Sequence, residues 1–234
     1  MAATNWTIKS SSAYDLSVTP TKRPRLTSRG AATRERIVAG AAALIYERGV
    51  ASTSLDDIMA ATRTSKSQLY HYFTDKDALV VEVIRRQLDQ IIIGQEAELR
   101  GLQTWEGLQR WRDHLVEGTR ATGGIGGCPL GSLVGELADQ SESARETLAI
   151  CFSEWEAYLI DGFTAMREGG LISQEADPTE LAVTVMTALQ GGLLLAQTTR
   201  DARPLELALD MAIGHVQRFA AVRPGTQLPR SGRR

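Results

Sequence analysis

Residues 52–79, "STSLDDIMAATRTSKSQLYHYFTDKDAL", hold two short helical patterns separated by a few small polar residues. In the first, Leu55, Ile58 and Met59 recur at helical spacing behind Ser54, with Asp57 three residues on as a variant of the capping box. In the second, Ser65 stands before the helix and Gln68 at the matching position. Leu69, Tyr72 and Phe73 fall on one face there, leaving Lys66, Ser67, Gln68, Tyr70 and His71 on the other. A helix that only fills a core does not carry such a polar face. Two capped helices joined by a tight turn form a helix-turn-helix, whose second helix enters the DNA major groove by its N-terminal part. The bland alternative, a helical hairpin with a solvated face, is common enough that the pattern alone is a moderate signal.

On that expectation the outward residues divide by chemistry. Lys66 at the helix start suits a phosphate or a guanine edge, and Ser67 and Gln68 suit bases, glutamine being matched to adenine. Tyr70 and His71 suit phosphates. Lys76 opens the next helix, where a side chain and a helix N-terminus together could hold a phosphate.

Outward from this stretch the chain stays helical. Upstream, Ile37, Val38, Ala41, Leu44 and Ile45 share a face, with Thr33 as the expected cap and Gly49 as the expected stop. Downstream, a longer helix from about Asp75 carries Leu79, Val83, Ile84, Leu88 and Ile91. Further patterns lie near 104–121, 129–139, 143–168, 178–200 and 204–221, and Asp177-Pro178 and Arg203-Pro204 mark two helix starts. No stretch reads as a strand pair, so the expected fold is all-α. The expected parts are a basic disordered arm over 1–30, a three-helix helix-turn-helix domain over 31–78, a larger helical domain over 79–222, and a disordered tail over 223–234.

At 234 residues, with 43% hydrophobic and 23% charged residues, the chain is an ordinary globular protein long enough to bury a sizeable core. The net charge of −2 hides an asymmetry: Lys22, Arg23, Arg25, Arg29, Arg34 and Arg36 face only Glu35 between residues 22 and 36. Such a segment suits a polyanion met at one end, or is simply a solvated tail. Two cysteines, Cys128 and Cys151, make neither a disulfide framework nor a metal site, and no cofactor or metal is expected. No early apolar run resembles a signal peptide and no long uncharged one resembles a membrane span, so the expected compartment is the cytoplasm.

Through "AALIYERGVASTSLDDIMAAT", the short turn and "LYHYFTDKDAL", residues 33–80 resemble the DNA-binding domain of the TetR family of transcriptional regulators. The three features together are specific for the family. The resemblance implies a homodimer with an N-terminal helix-turn-helix and a C-terminal helical domain that both dimerises and holds an effector pocket. It implies repression of a palindromic operator and DNA contacts at Thr53, Lys66, Ser67, Gln68, Tyr70, His71 and Lys76. One departure is Arg63-Thr64, where the family often has Gly and then an apolar residue. "GCPLGSLVGELAD" and "ALQGGLLLAQTTRDARPLELALD" resemble other regulators of this type more loosely.

In the C-terminal half, Trp105, Leu108, Trp111 and Leu115 line one helical face, and Trp155, Tyr158, Leu159, Phe163 and Met166 another. Such stripes are usually core; the resemblance implies that Trp105, Trp111, Trp155, Tyr158 and Phe163 also line a pocket for a small apolar or aromatic effector. His114 is a candidate polar contact there. Leu181, Val185, Leu189 and Leu193, then Leu205, Leu209 and Val216, form stripes that either pack within one subunit or, as the resemblance implies, pair with a second copy. "GGIGGCPLG" lacks the Gly-Lys-Ser/Thr ending of a phosphate loop and follows no strand, which excludes nucleotide binding. Its glycines suit a connection and close packing through Gly127, Gly131 and Gly135. Cys128 before Pro129 has two readings: a buried small residue, or an electrophile and redox sensor whose thiolate a helix N-terminus favours. His71, His114 and His215 are far apart, and neither His-Glu-x-x-His nor Gly-x-Ser-x-Gly occurs, so an all-α enzyme is a minor alternative. A non-specific structural DNA binder is another.

Overall fold

Most of the helices begin at a side-chain cap written into the chain. The computed structural model describes residues 26–221, which form ten helices and, among the described residues, no strand beyond the isolated bridge between Ile172 and Ala220. The first, α1 (Ser28–Arg48), is capped by Thr27, whose hydroxyl oxygen accepts from Gly30 N at 3.2 Å. The expected cap, Thr33, instead lies inside the helix and donates to the Arg29 carbonyl at 3.0 Å. The helix therefore starts five residues before Thr33, and the boundary expected at residue 30 falls within it. Residues 28–30 look tail-like only because Ser, Arg and Gly carry no apolar periodicity. The stop at Gly49 is as read: φ is 81° and its N–H returns to the Ile45 carbonyl.

Both expected capping boxes form. Ser54 and Asp57 open α2 (Leu55–Thr62), and Ser65 and Gln68 open α3 (Lys66–Tyr72). Between them Arg63 sits in the left-handed region at φ 50°, where a residue with a Cβ costs roughly 1–2 kcal/mol relative to glycine. Thr64 takes the place of an apolar residue and is buried, its hydroxyl 2.9 Å from that of Thr62. The departure from the family pattern thus leaves the turn intact. Helix α1 crosses α2 closely at Gly40, where a Cβ would lie 2.3 Å from the Thr62 methyl.

Helix α4 (Lys76–Gly94), capped by Asp75, packs its length against both α1 and the long α8 (Glu142–Glu168), so one rigid element joins the two ends of the molecule. The short α5 (Glu96–Leu99), which no sequence pattern marked, leads into α6 (Trp105–Ala121). A glycine-rich loop then reaches α7 (Pro129–Leu137), which packs between α4 and α8. The pair α9 (Pro178–Thr199) and α10 (Arg203–Gln217) closes the fold, packed on each other. Trp111, Trp155 and Phe163 are the largest side chains in a core that runs continuously from α1 to α10. Among the described residues, α9 is long and apolar enough to cross a membrane by length and hydropathy alone. It packs instead against α8 and α10, with 39% of its apolar window buried in the subunit.

Candidate nucleic-acid interface and effector cavity

The polar face of α3 is open. Lys66, Ser67, Gln68, Tyr70 and His71 are all exposed, and Leu69 on the opposite side is wholly buried. Ser65 anchors this face, because its N–H donates to Gln68 Oε1 at 3.1 Å while its hydroxyl accepts from Gln68 N at 3.2 Å. The Gln68 amide group keeps its NH2 free to donate to a base. Lys66 Nζ lies 6.0 Å from the Tyr70 ring centroid, and His71 stands edge-on to Tyr72 at 4.8 Å. An exposed helix face of one cation, two hydrogen-bonding side chains and two polar aromatics can approach a groove without leaving a buried group unsatisfied.

Two expected contacts need correction. Thr53 is buried, 1% exposed, and its hydroxyl donates to the Gly49 carbonyl at 2.8 Å, so it shapes the α1–α2 loop instead of facing outward. Lys76 is half-buried and donates to the Val50 carbonyl at 2.6 Å, which ties one of its three N–H donors to the α1–α2 loop. Both residues sit where the loop folds back, which the local sequence does not reveal. Of the basic segment, Lys22, Arg23 and Arg25 lie outside the described residues. Arg34 pairs with Glu82 at 2.6 Å and stacks 5.4 Å over Phe73, whereas Arg29 and Arg36 are exposed.

The Val50 peptide is the residue that sequence reasoning missed. Its carbonyl accepts from Lys76, and its N–H donates to Glu136 Oε2 of α7 at 2.6 Å. The α1–α2 loop is thereby held between the start of α4 and the last turn of α7. The glycine loop makes a second connection: at Gly126, φ 100°, a Cβ would lie 2.3 Å from the Tyr46 hydroxyl on α1. Gly127 approaches Gln197 of α9 comparably, whereas Gly135 has open space around it, against the expectation of close packing there.

Beyond this junction lies an open cavity of about 300 Å³ bordered by α4, α6, the glycine loop, the start of α7, α8 and α9. Of the candidate pocket residues, His114, Cys128 and Trp155 line it, joined by Gln95, Ile91 and Leu193. The other expected pocket residues do not. Trp111 is fully buried with its indole N–H donated to Gln95 Oε1 at 2.9 Å, Phe163 is core, and Trp105 and Tyr158 are half-buried elsewhere. Periodicity groups residues by face, but a cavity occupies only one level along that face, here the level of Trp155. Cys128 is buried and its Sγ accepts from Gly131 N at 3.3 Å, capping α7. Burial pushes its thiol upward and outweighs the backbone N–H groups of Gly131 and Leu130 and the Gln190 side chain, which pull the other way. Of the two readings of Cys128, the fold supplies the buried small residue and not the accessible thiolate. Cys151, also buried, is pushed up to about 11.

The expected dimer stripe also needs correction. Leu181, Val185, Leu189, Leu205, Leu209 and Val216 are buried within the subunit, between α9, α10 and the core, and Leu193 faces the cavity. The outer faces of the same helices present Val183, Leu194, Leu195, Leu207 and Met211, and a shallow depression between them is lined by Ala188, Pro204 and Ala208. These helices are apolar on two faces, and the stripe that was read is the inner one.

An all-α body in which an exposed, doubly capped helix-turn-helix stands before a cavity-bearing helical domain defines a DNA-binding regulator. The chain belongs to the TetR family of helix-turn-helix transcriptional regulators. Residues 37–83 match the model for bacterial regulatory proteins of the tetR family, and residues 104–211 match the C-terminal domain of LmrA/YxaF-like transcriptional regulators. An uncharacterized HTH-type transcriptional regulator of Lactococcus lactis is 30% identical over 184 residues, which is 76% of this chain and 90% of that one. The HTH-type transcriptional repressor NemR of Escherichia coli K12 is 26% identical over 196 residues, 81% of this chain and 94% of that one. The crystal structure of a TetR regulator from Chloroflexus aurantiacus superposes with a TM-score of 0.66 at 26% identity, covering 83% and 98% of the two chains. The family consists of DNA-binding regulators and not of enzymes.

Proposed function

We propose that the protein is a repressor that binds a palindromic operator as a homodimer and is released by a small molecule entering the cavity. One observation carries this reading: α7 has one end in the cavity wall and the other on the DNA-binding domain. Cys128 caps its start within the cavity lining, and Glu136 in its last turn holds the Val50 N–H. Those two residues are eight positions apart, roughly 12 Å along a helix. A ligand that shifts the glycine loop or the start of α7 therefore moves Glu136 and the Gly126 contact with Tyr46, and through them the α1–α2 loop and Lys76. The tilt of α3 relative to a second α3 changes with them.

The homodimer reading is supported by the exposed apolar residues Val183, Leu194, Leu195, Leu207 and Met211 on α9 and α10, of which Val183, Leu195 and Met211 line one depression. Pairing with the same face of a second copy forms a four-helix bundle and sets two α3 helices on half-sites roughly 34–36 Å apart, or a multiple of this. DNA contacts then come from Lys66, Ser67, Gln68, Tyr70 and His71, in the cytoplasm. The electrophile-sensing alternative keeps the position of Cys128 in the cavity wall, but burial holds that thiol protonated and disfavours attack. Selection of bound sequences from a random DNA pool tests the core of the proposal. A two-fold symmetric motif bound by a sedimenting dimer is the expected result; unselective recovery would leave a structural DNA binder instead.

A further inference from the structure

Among the described residues, two that are not glycine hold a left-handed backbone, and both are arginines that end a helix. Arg63 closes α2 at φ 50°, and Arg200 closes α9 at φ 57°. In that region a Cβ crowds the neighbouring carbonyl, so glycine sits there without strain and arginine does not. Strain of this kind collects at functional positions. The bonds that close α2 are all main-chain: the Arg63 N–H meets the Ala60 and Met59 carbonyls, and the Thr64 N–H meets the Met59 carbonyl at 3.0 Å. Any residue supplies them. The Arg63 guanidinium is exposed and makes no hydrogen bond, ion pair or ring contact among the described residues. A cation does gain a little from the negative end of a helix, but Arg200 gains that equally.

Location separates the two. Arg200 adjoins Asp201, beside the glycine loop at Gly124 in the C-terminal domain. Arg63 stands two residues before Ser65, the cap of α3, and three before Lys66, whose Cα is therefore at most about 11 Å away. Thr64 turns inward and is buried, leaving Arg63 outward. Between Asp57 and Asp75 the chain carries no carboxylate, and Asp57 is tied to Ser54 at the far end of α2. The charge of Arg63 and Lys66 is thus not offset along this stretch. In a helix-turn-helix the first helix crosses the phosphate backbone and the second enters the groove. A residue that ends the first and precedes the second belongs at the rim of the groove, among phosphates.

We infer that Arg63 holds a DNA phosphate at the mouth of the major groove. This deepens the DNA-binding reading above and rests on it. Fluorescence anisotropy over a range of KCl concentrations, with the selected operator and a random duplex of equal length, tests it on the full-length protein. Arg63→Gly should raise Tm and yet weaken binding to both duplexes alike, by roughly tenfold or more. The plot of log affinity against log salt should flatten by about two, one phosphate for each protomer of the dimer. Impaired folding cannot produce weaker binding together with a higher Tm. Arg63→Lys, which keeps the charge, should keep the slope. Arg200→Gly relieves the same strain elsewhere, so it should raise Tm and leave DNA binding as in the wild type. An unchanged slope in Arg63→Gly, an equal loss in Arg200→Gly, or a loss confined to the operator overturns the inference while the regulator reading stands. A wild type that binds neither duplex overturns both.

Discussion

The pairs α2–α3 and α9–α10 are both two helices joined by a short turn, yet the chain specifies them in different ways. In α2–α3 each helix is seven or eight residues long and fixed by a capping box, so local hydrogen bonds dictate its start. Only one face is apolar, and inward and outward residues separate cleanly. In α9–α10 the helices are 22 and 15 residues long and apolar on two sides. Either side could be the core. A polar face tells the reader where solvent or a polar ligand lies; two apolar faces say only that two things are covered.

The sharpest way to break that comparison is to place charge on each face of α9–α10. Leu205→Asp buries a carboxylate in a fully enclosed site and should cost several kcal/mol, leaving little folded protein by circular dichroism. Met211→Glu, 71% exposed in the subunit, should leave the protomer's helicity intact while sedimentation shows monomers that no longer hold a palindromic site. If Met211→Glu remains dimeric, the outer face is not the interface.

Within α1–α2 the expected effect is smaller. Gly40→Ala forces a methyl against Thr62, whose hydroxyl is fixed by a 2.7 Å bond to the Ile58 carbonyl. A loss of about 1–3 kcal/mol is expected in urea denaturation, the usual penalty of overpacking. Smaller still, and opposite in sign, is Arg63→Gly: relieving a left-handed φ of 50° at an exposed turn should add up to about 1 kcal/mol, read as a raised Tm. Unchanged stability in both would mean that the turn and the crossing adapt freely.

The same physics explains what was legible. Ser54, Ser65 and the stop at Gly49 act on neighbours within four residues, so sequence alone places them, and the exposed face of α3 follows from its spacing. Lys76 is different, because its partner, the Val50 carbonyl, lies 26 positions away and is met only once the α1–α2 loop folds back; Thr53 bonds the Gly49 carbonyl only four residues away, and what its sequence does not show is its burial. Glu136 is 86 positions from Val50, and no local pattern announces the pair. The cavity shows the same divide: the aromatic stripe of α8 is visible as Trp155, Leu159 and Phe163, but which turn faces empty space depends on the glycine loop and α9. Cys128 was legible as a helix start, and its burial was one of the two readings that the sequence allowed.

The central claim is that the outward face of α3 reads DNA. Its direct measurement is fluorescence anisotropy of the selected operator and of a random duplex of equal length, with wild type and Gln68→Glu. The substitution keeps a carboxylate oxygen to accept the Ser65 N–H, so the cap survives, but removes the amide donor and places a negative charge towards the bases. Each lost base contact is worth roughly 1–3 kcal/mol, so operator affinity should fall tenfold or more and the preference over random DNA should collapse, with the melting curve unchanged. Undiminished preference for the operator in Gln68→Glu would contradict the account and move the reading surface elsewhere.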